Sequence, residues 1–95
     1  ANEILKLYEQ KKNEIHELTH SQYSLHTLDF IFEHSIFRST ELPKKGQVPK
    51  PSSKKILSEL RKAGIIKVLR ESSGRRATVF AFPELINIAE GRKVI

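Results

Sequence analysis

The 95-residue chain has no cysteine, no methionine and no tryptophan. Without cysteine there is no disulfide framework, no zinc finger and no thiol nucleophile, and a reducing compartment is permitted. No apolar run approaches the roughly 20 residues of a membrane span, and the first residues lack the apolar region of a signal peptide. No membrane partner is expected, and the expected compartment is the cytoplasm. The four glycines are scattered, so no Gly-rich phosphate cradle is present, and Gly74 reads as a lone turn glycine. Length excludes as well: one modest core fits, whereas a core with a deep catalytic cleft does not.

What is present is charge, and it is unevenly placed. With 38% apolar and 29% charged residues the composition is that of a globular chain, with a formal net charge of +6. Residues 40–82 hold 11 Lys or Arg against 3 acids, a local charge of +8, while the remainder carries −2. A near-neutral body with one basic stretch suits a nucleic-acid-binding module, because phosphate neutralisation supplies the sequence-independent part of affinity. A merely solvated face is the competing reading.

Apolar spacing predicts the elements. Ile4, Tyr8, Ile15 and Leu18, with Leu7 beside them, form one stripe of an amphipathic helix over 3–20. A second helix is expected from Ser24, read as its N-cap, to His34, with Leu25, Leu28, Ile31 and Phe32 on one face and Phe30 off it. Ile36 and Phe37 suit a small strand. Ser39 then caps a short helix through Leu42 and Lys45 whose length Pro43 limits. Residues 44–51 read as a polar turn. The next helix opens at Pro51 or Ser52, gathers Ile56, Leu57, Leu60 and Ala63 in a narrow arc, and ends at Gly64 in the C′ position. Its opposite arc carries Lys54, Lys55, Ser58, Arg61 and Lys62, with Glu59 to one side. Residues 65–70 and 78–82 form a hairpin with Arg75 and Arg76 at its tip, and Pro83 starts a last helix that Gly91 ends.

The tempting catalytic motif is His16-Glu17-Leu18-Thr19-His20, which fits the zinc-protease pattern literally, with His26 at a third-ligand spacing. Tyr23 stands where that pattern needs glycine to swing the third ligand round, and the required methionine turn is impossible in a chain without Met. No metal, cofactor or catalytic residue is therefore expected. His34 reads as a helix-end residue near the negative end of the dipole.

The basic helix is different. Four cations without an acid on its exposed arc fit a recognition helix in the major groove, with Ser52, Ser53 and Lys54 reaching base edges and later cations meeting phosphates. Two arginines on a hairpin tip fit a minor groove or a phosphate clamp. Phe30, Phe80 and Phe82 read as core or interface aromatics rather than base-stacking platforms.

Three stretches resemble a known family. They are residues 17–25, the helix end Leu60-Arg61-Lys62-Ala63-Gly64-Ile65-Ile66, and above all Ser73-Gly74-Arg75-Arg76 followed by the run from Phe80 through Pro83 to Arg92. Together they resemble the C-terminal winged-helix region of bacterial Fic-family proteins, over essentially the whole chain. The last block is the most specific, since it joins a wing, a strand and a helix in one run. The resemblance implies an N-terminal Fic domain ahead of Ala1, a protein adenylyltransferase moving AMP from ATP to a protein hydroxyl. Its H-P-F-x-x-G-N-G-R motif has no counterpart here, so no catalytic residue carries over. Gly74, Arg75, Arg76 and the helix after Pro83 match family features. A chain that starts without Met and enters a helix at once agrees with a piece of a longer protein.

The expected fold is mainly α with a small antiparallel hairpin: a winged helix-turn-helix over 23–82, a connecting helix over 1–22, and a C-terminal helix over 83–95 packed on the same domain. Duplex DNA is the expected partner, through Lys50, Ser52, Ser53, Lys54, Lys55, Ser58, Arg61, Lys62, Arg75 and Arg76. The alternative is a protein-interaction or dimerisation module that regulates the Fic domain, using the terminal helices to form a homodimer.

Overall fold

The computed structural model describes residues 2–95; Ala1, where the expected connecting helix begins, lies outside them. The described elements run α1 (Asn2–Thr19), α2 (Ser24–Glu33), β1 (Ile36–Arg38), α3 (Glu41–Lys45), α4 (Lys50–Lys62), β2 (Lys67–Arg70), β3 (Val79–Ala81) and α5 (Pro83–Glu90). The three strands form one antiparallel sheet in the order β1-β3-β2. Helix, strand, short helix, long helix and returning hairpin, with the first strand closing the sheet, is a winged helix-turn-helix. The expected hairpin is thus widened by a third strand, in which Phe37 pairs with Phe80 across the ladder.

The fold closes around aromatic side chains. The Phe37 ring lies 5.0 Å from Phe30 and 5.7 Å from Phe80, and Phe32 lies 5.2 Å from both Tyr8 and Phe82. Phe30, Phe80 and Phe82 are buried, as core residues should be. Each such ring contributes about 1.5–3 kcal/mol through burial. Phe30, off the expected face of α2, is buried against Phe37 of β1 and joins the same core as Leu28 and Ile31. Leu25, expected on the buried face, is 47% exposed.

Several helix ends differ from expectation. Ser24 does not cap α2; the cap position is Tyr23, whose N–H donates to Ser21 Oγ at 3.0 Å in the preceding turn. Ser39 does not cap α3 either. The cap is Thr40, and the Glu41 carboxylate reaches back to accept the Arg38 N–H at 2.8 Å and is met by Lys45 Nζ at 2.9 Å. Pro43 sits in the first turn of α3, where a missing N–H costs little. Helix α4 begins at Lys50, one residue before the expected start. Its end is as expected: Gly64 has φ +80, the Ile65 N–H reaches Leu60 O, and the Gly64 N–H reaches Arg61 O. This pair of bonds closes the helix and requires a left-handed residue, which glycine adopts without a Cβ penalty. Ile65 and Ile66 belong to that closure and to the core, so β2 starts only at Lys67. Ala63, placed on the apolar arc by sequence, is exposed.

Helix α1, expected as a connecting helix, packs on α2, α4 and α5. Its buried residues are Leu7, Lys11, Ile15 and Thr19, so a lysine occupies the middle of the apolar stripe. Lys11 Nζ donates to Glu84 Oε1 of α5 at 2.7 Å and to Glu14 Oε2 at 3.0 Å. Burial opposes its charge, but these two carboxylates outweigh it and hold the pKa above the ordinary lysine value. Ile4 overhangs the body at 38% exposure, and Leu5 is 65% exposed. Tyr8 Oη donates to Asp29 Oδ1 of α2 at 2.6 Å.

After α5 the left-handed Gly91 ends the helix, and the tail folds back on it. Asn87 Oδ1 accepts the Val94 and Ile95 N–H groups, and Asn87 Nδ2 donates to Ile95 O. The tail is thereby held on α5, which itself packs against α1.

Candidate nucleic-acid interface

The expected recognition helix is α4, and its buried side is Ser53, Ile56, Leu57 and Leu60. Those positions, at intervals of three and four, turn one face to the core and leave the other to solvent. Lys50, Lys54, Lys55, Ser58, Arg61 and Lys62 are exposed, and Ser52 is half-buried. Ser53 is a correction. Expected to read base edges, it is only 2% exposed and lies against the body, because it falls one turn before Leu57 on the core-facing stripe.

Arg61 is exposed as well, but it already has a partner. Its Nη2 lies 2.9 Å from Glu71 Oε2, on the segment after β2, so part of its charge is already neutralised. Both partners are half-exposed or more, and such a pair contributes about 0–1 kcal/mol. Lys50, Lys54, Lys55 and Lys62 take part in no ion pair among the described residues. Glu59, the one acid of α4, lies on the far flank with Oε1 buried.

The start of α4 adds donors. Pro49 occupies the cap position with no side-chain cap, and no acid sits in the first turn. Pro51 has no N–H and the Ser53 N–H is bonded to Pro49 O, so the Lys50 and Ser52 N–H groups are the first-turn donors left at the positive end of the helix dipole.

The wing tip is a two-residue turn. Ser73 and Arg76 exchange both backbone hydrogen bonds, at 3.1 and 2.9 Å, around Gly74 and Arg75. Gly74 has φ +57, whereas Arg75 is not left-handed, which is the type II′ pattern with glycine at its first central position. Arg75 and Arg76 are exposed on this turn, beyond the paired strands. An irregularity between Val68 and Arg70 interrupts the ladder and leaves Leu69 45% exposed.

Between α4, α3 and the sheet lies a groove of about 600 Å³. Lys50, Ser53, Lys54, Ser58 and Arg61 of the expected set line it; Lys55, Lys62, Ser52 and the wing arginines do not. Sequence reasoning missed Lys44, Pro43, Leu57 and Phe80 as lining residues. Lys44 had a signal, since it precedes the basic helix by one short turn. The approach of Phe80 depends on strand pairing and had none.

The zinc-protease spacing does not survive folding as one helical face. Helix α1 ends at Thr19, and His20 leaves it with φ 49. Among the described residues no three His, Cys, Asp or Glu side chains gather where they would hold a metal ion. His34 closes α2 as expected, its N–H donating to Phe30 O. Among the described residues no helix is long and apolar enough to cross a membrane. No family model, curated protein or solved structure matches the chain.

Proposed function

We propose that this domain binds duplex DNA, with α4 in the major groove and the wing arginines on the adjoining backbone or minor groove. The observation that carries the reading is a run of exposed lysines on α4, Lys50, Lys54, Lys55 and Lys62, none of which meets a carboxylate among the described residues. In a winged helix this face and the wing tip are the parts presented together to a duplex. The buried Ser53 and the bridged Arg61 leave Lys54 and Ser58 as the residues placed to touch base edges, and the remaining cations as phosphate contacts.

We further infer that the module belongs at the C-terminus of a Fic-family adenylyltransferase. The support is the wing tip Ser73-Gly74-Arg75-Arg76 and the α5 run after Pro83. On this reading AMP transfer belongs to a preceding domain, and this chain contributes DNA affinity and no catalytic residue.

Polarisation of a labelled duplex, titrated across salt, tests the DNA reading. With roughly four to six phosphates neutralised, log K falls with log salt at a slope of about −4 to −5. Replacing Arg75 and Arg76 by alanine flattens that slope by about two units and weakens binding to all sequences, whereas Lys54→Ala also relaxes preference at one base position. Absence of any salt-sensitive binding at tens of micromolar protein (~50 µM), where non-specific contacts already register, refutes it.

A second reading has its own observation. Ile4 and Leu5 expose apolar surface at the start of α1, which favours an interaction or dimerisation role for that end. Sedimentation of the chain with and without Ile4→Ser and Leu5→Ser decides whether that surface associates.

A further inference from the structure

The groove beside α4 has features that contact with a duplex does not require. Its floor is apolar, built from Leu57 of α4, Pro43 of α3 and Phe80 of β3. Its volume of about 600 Å³ lies within the range of small-molecule sites, which are mostly apolar with a few placed polar groups. The charge on its rim is of one sign. Lys44, Lys50 and Lys54 line it, and none has an ion-pair partner among the described residues. Among the described residues no acid lines it: Glu41 is held by Lys45 and the Arg38 N–H, Glu59 lies on the other flank of α4, and Glu71 meets the groove only through its pair with Arg61.

An apolar floor does nothing for phosphodiester binding, and a lysine rim does nothing for a neutral ligand. The two together complement one kind of occupant. We propose that this groove is a binding site for a small anion with an apolar body, an aromatic or branched aliphatic group carrying a carboxylate, sulfonate or phosphate. The body lies on Leu57 and Phe80, and the anionic group meets Lys44 and Lys54, where charge-assisted bonds are stronger than neutral ones. Because Lys50 and Lys54 also belong to the proposed DNA face, the ligand and a duplex exclude each other. That last clause rests on the DNA reading; the ligand site itself does not.

The probe is 8-anilinonaphthalene-1-sulfonate, followed by fluorescence and by amide chemical shifts of the labelled protein. Saturable binding is expected, with shifts at Ser39, Leu57 and Phe80 and not at Ile4 and Leu5. The uncharged N-phenyl-1-naphthylamine binds at least tenfold more weakly. Lys44→Ala with Lys54→Ala lowers sulfonate affinity about tenfold, whereas Lys6→Ala with Lys12→Ala on α1 leaves it unchanged. Ser58→Phe, an exposed change that fills the groove mouth, blocks the probe, and circular dichroism establishes that each variant is folded. Displacement by 1-naphthoate and by 1-naphthyl phosphate then separates a carboxylate preference from a phosphate preference. Non-saturable binding, shifts confined to α1, or equal affinity for the uncharged probe overturns the site. If the probe binds as described and a duplex fails to displace it, exclusion is overturned, and a separate duplex titration shows whether DNA binding fails with it.

Discussion

Lys11 offers a test of what holds α1 to the winged body. It is 6% exposed and bridges to Glu84 at 2.7 Å and to Glu14 at 3.0 Å, yet both carboxylates are nearly half-exposed. Removing the lysine thus strands no buried charge, since each glutamate regains water. What is lost on Lys11→Ala is the packed stem, three methylenes at about 0.8 kcal/mol each, together with the cavity they leave. The expected cost is about 2–4 kcal/mol, a fall in Tm of roughly 10–25 °C for a domain of this size. Lys11→Met keeps most of the stem and removes the charge, so it is expected to lie within about 1 kcal/mol of the parent. Glu84→Ala leaves the buried ammonium with one partner and is expected to cost about 1–2 kcal/mol. Urea denaturation of the three variants, with a thermal melt of each, reads these values directly. The raised lysine pKa has a definite sign: the stability it carries is complete below the ordinary lysine value and is lost as pH rises through the raised folded value. If Lys11→Met costs as much as Lys11→Ala, the ion pairs and not the stem anchor α1, and the reasoning is wrong.

Three further outcomes are expected. Gly46→Ala places a Cβ 2.7 Å from Leu42 Cδ1 and 2.8 Å from Leu42 O, and this overpacking is expected to cost about 1–3 kcal/mol in a urea melt; an unchanged midpoint contradicts it. The Glu41 carboxyl is held below its ordinary pKa first by the Arg38 N–H and then by Lys45, so its stabilisation is present above the ordinary value and lost as pH falls through the lowered one. Glu41→Gln should remove that part of the acid-side slope, and an identical pH–stability profile would rule the contact out as a contributor. Asn87→Ala removes the acceptor for the Val94 and Ile95 N–H groups; amide exchange at those two residues is expected to rise to that of an open chain, with α5 itself little changed.

The elements whose apolar spacing is local were legible in the sequence. Ile56, Leu57 and Leu60 repeat at helical intervals and end at a glycine, so α4 needed no partner to be recognised. The wing was legible because Gly74 sits at the one turn position that favours it, between two short β-rich runs. The lysines of α4 were read correctly as exposed, since charge without a partner stays in water. What the sequence left open depends on contacts between distant segments. Ser53 is a partial exception, since its place one turn before Leu57 is local and only its 2% exposure needed the fold. Arg61 looks unpaired until the hairpin brings Glu71 within 2.9 Å. Lys11 reads as surface by its charge although its spacing puts it between Leu7 and Ile15 on the buried stripe, and the arrival of Glu84 from α5 makes its burial tolerable. The groove does not exist at the level of α4 alone, because its floor joins Leu57 to Phe80 across the pairing of β3. Helical and turn preferences act over a few residues and are written in the local sequence, whereas burial and ion pairing are set by what the rest of the chain brings alongside.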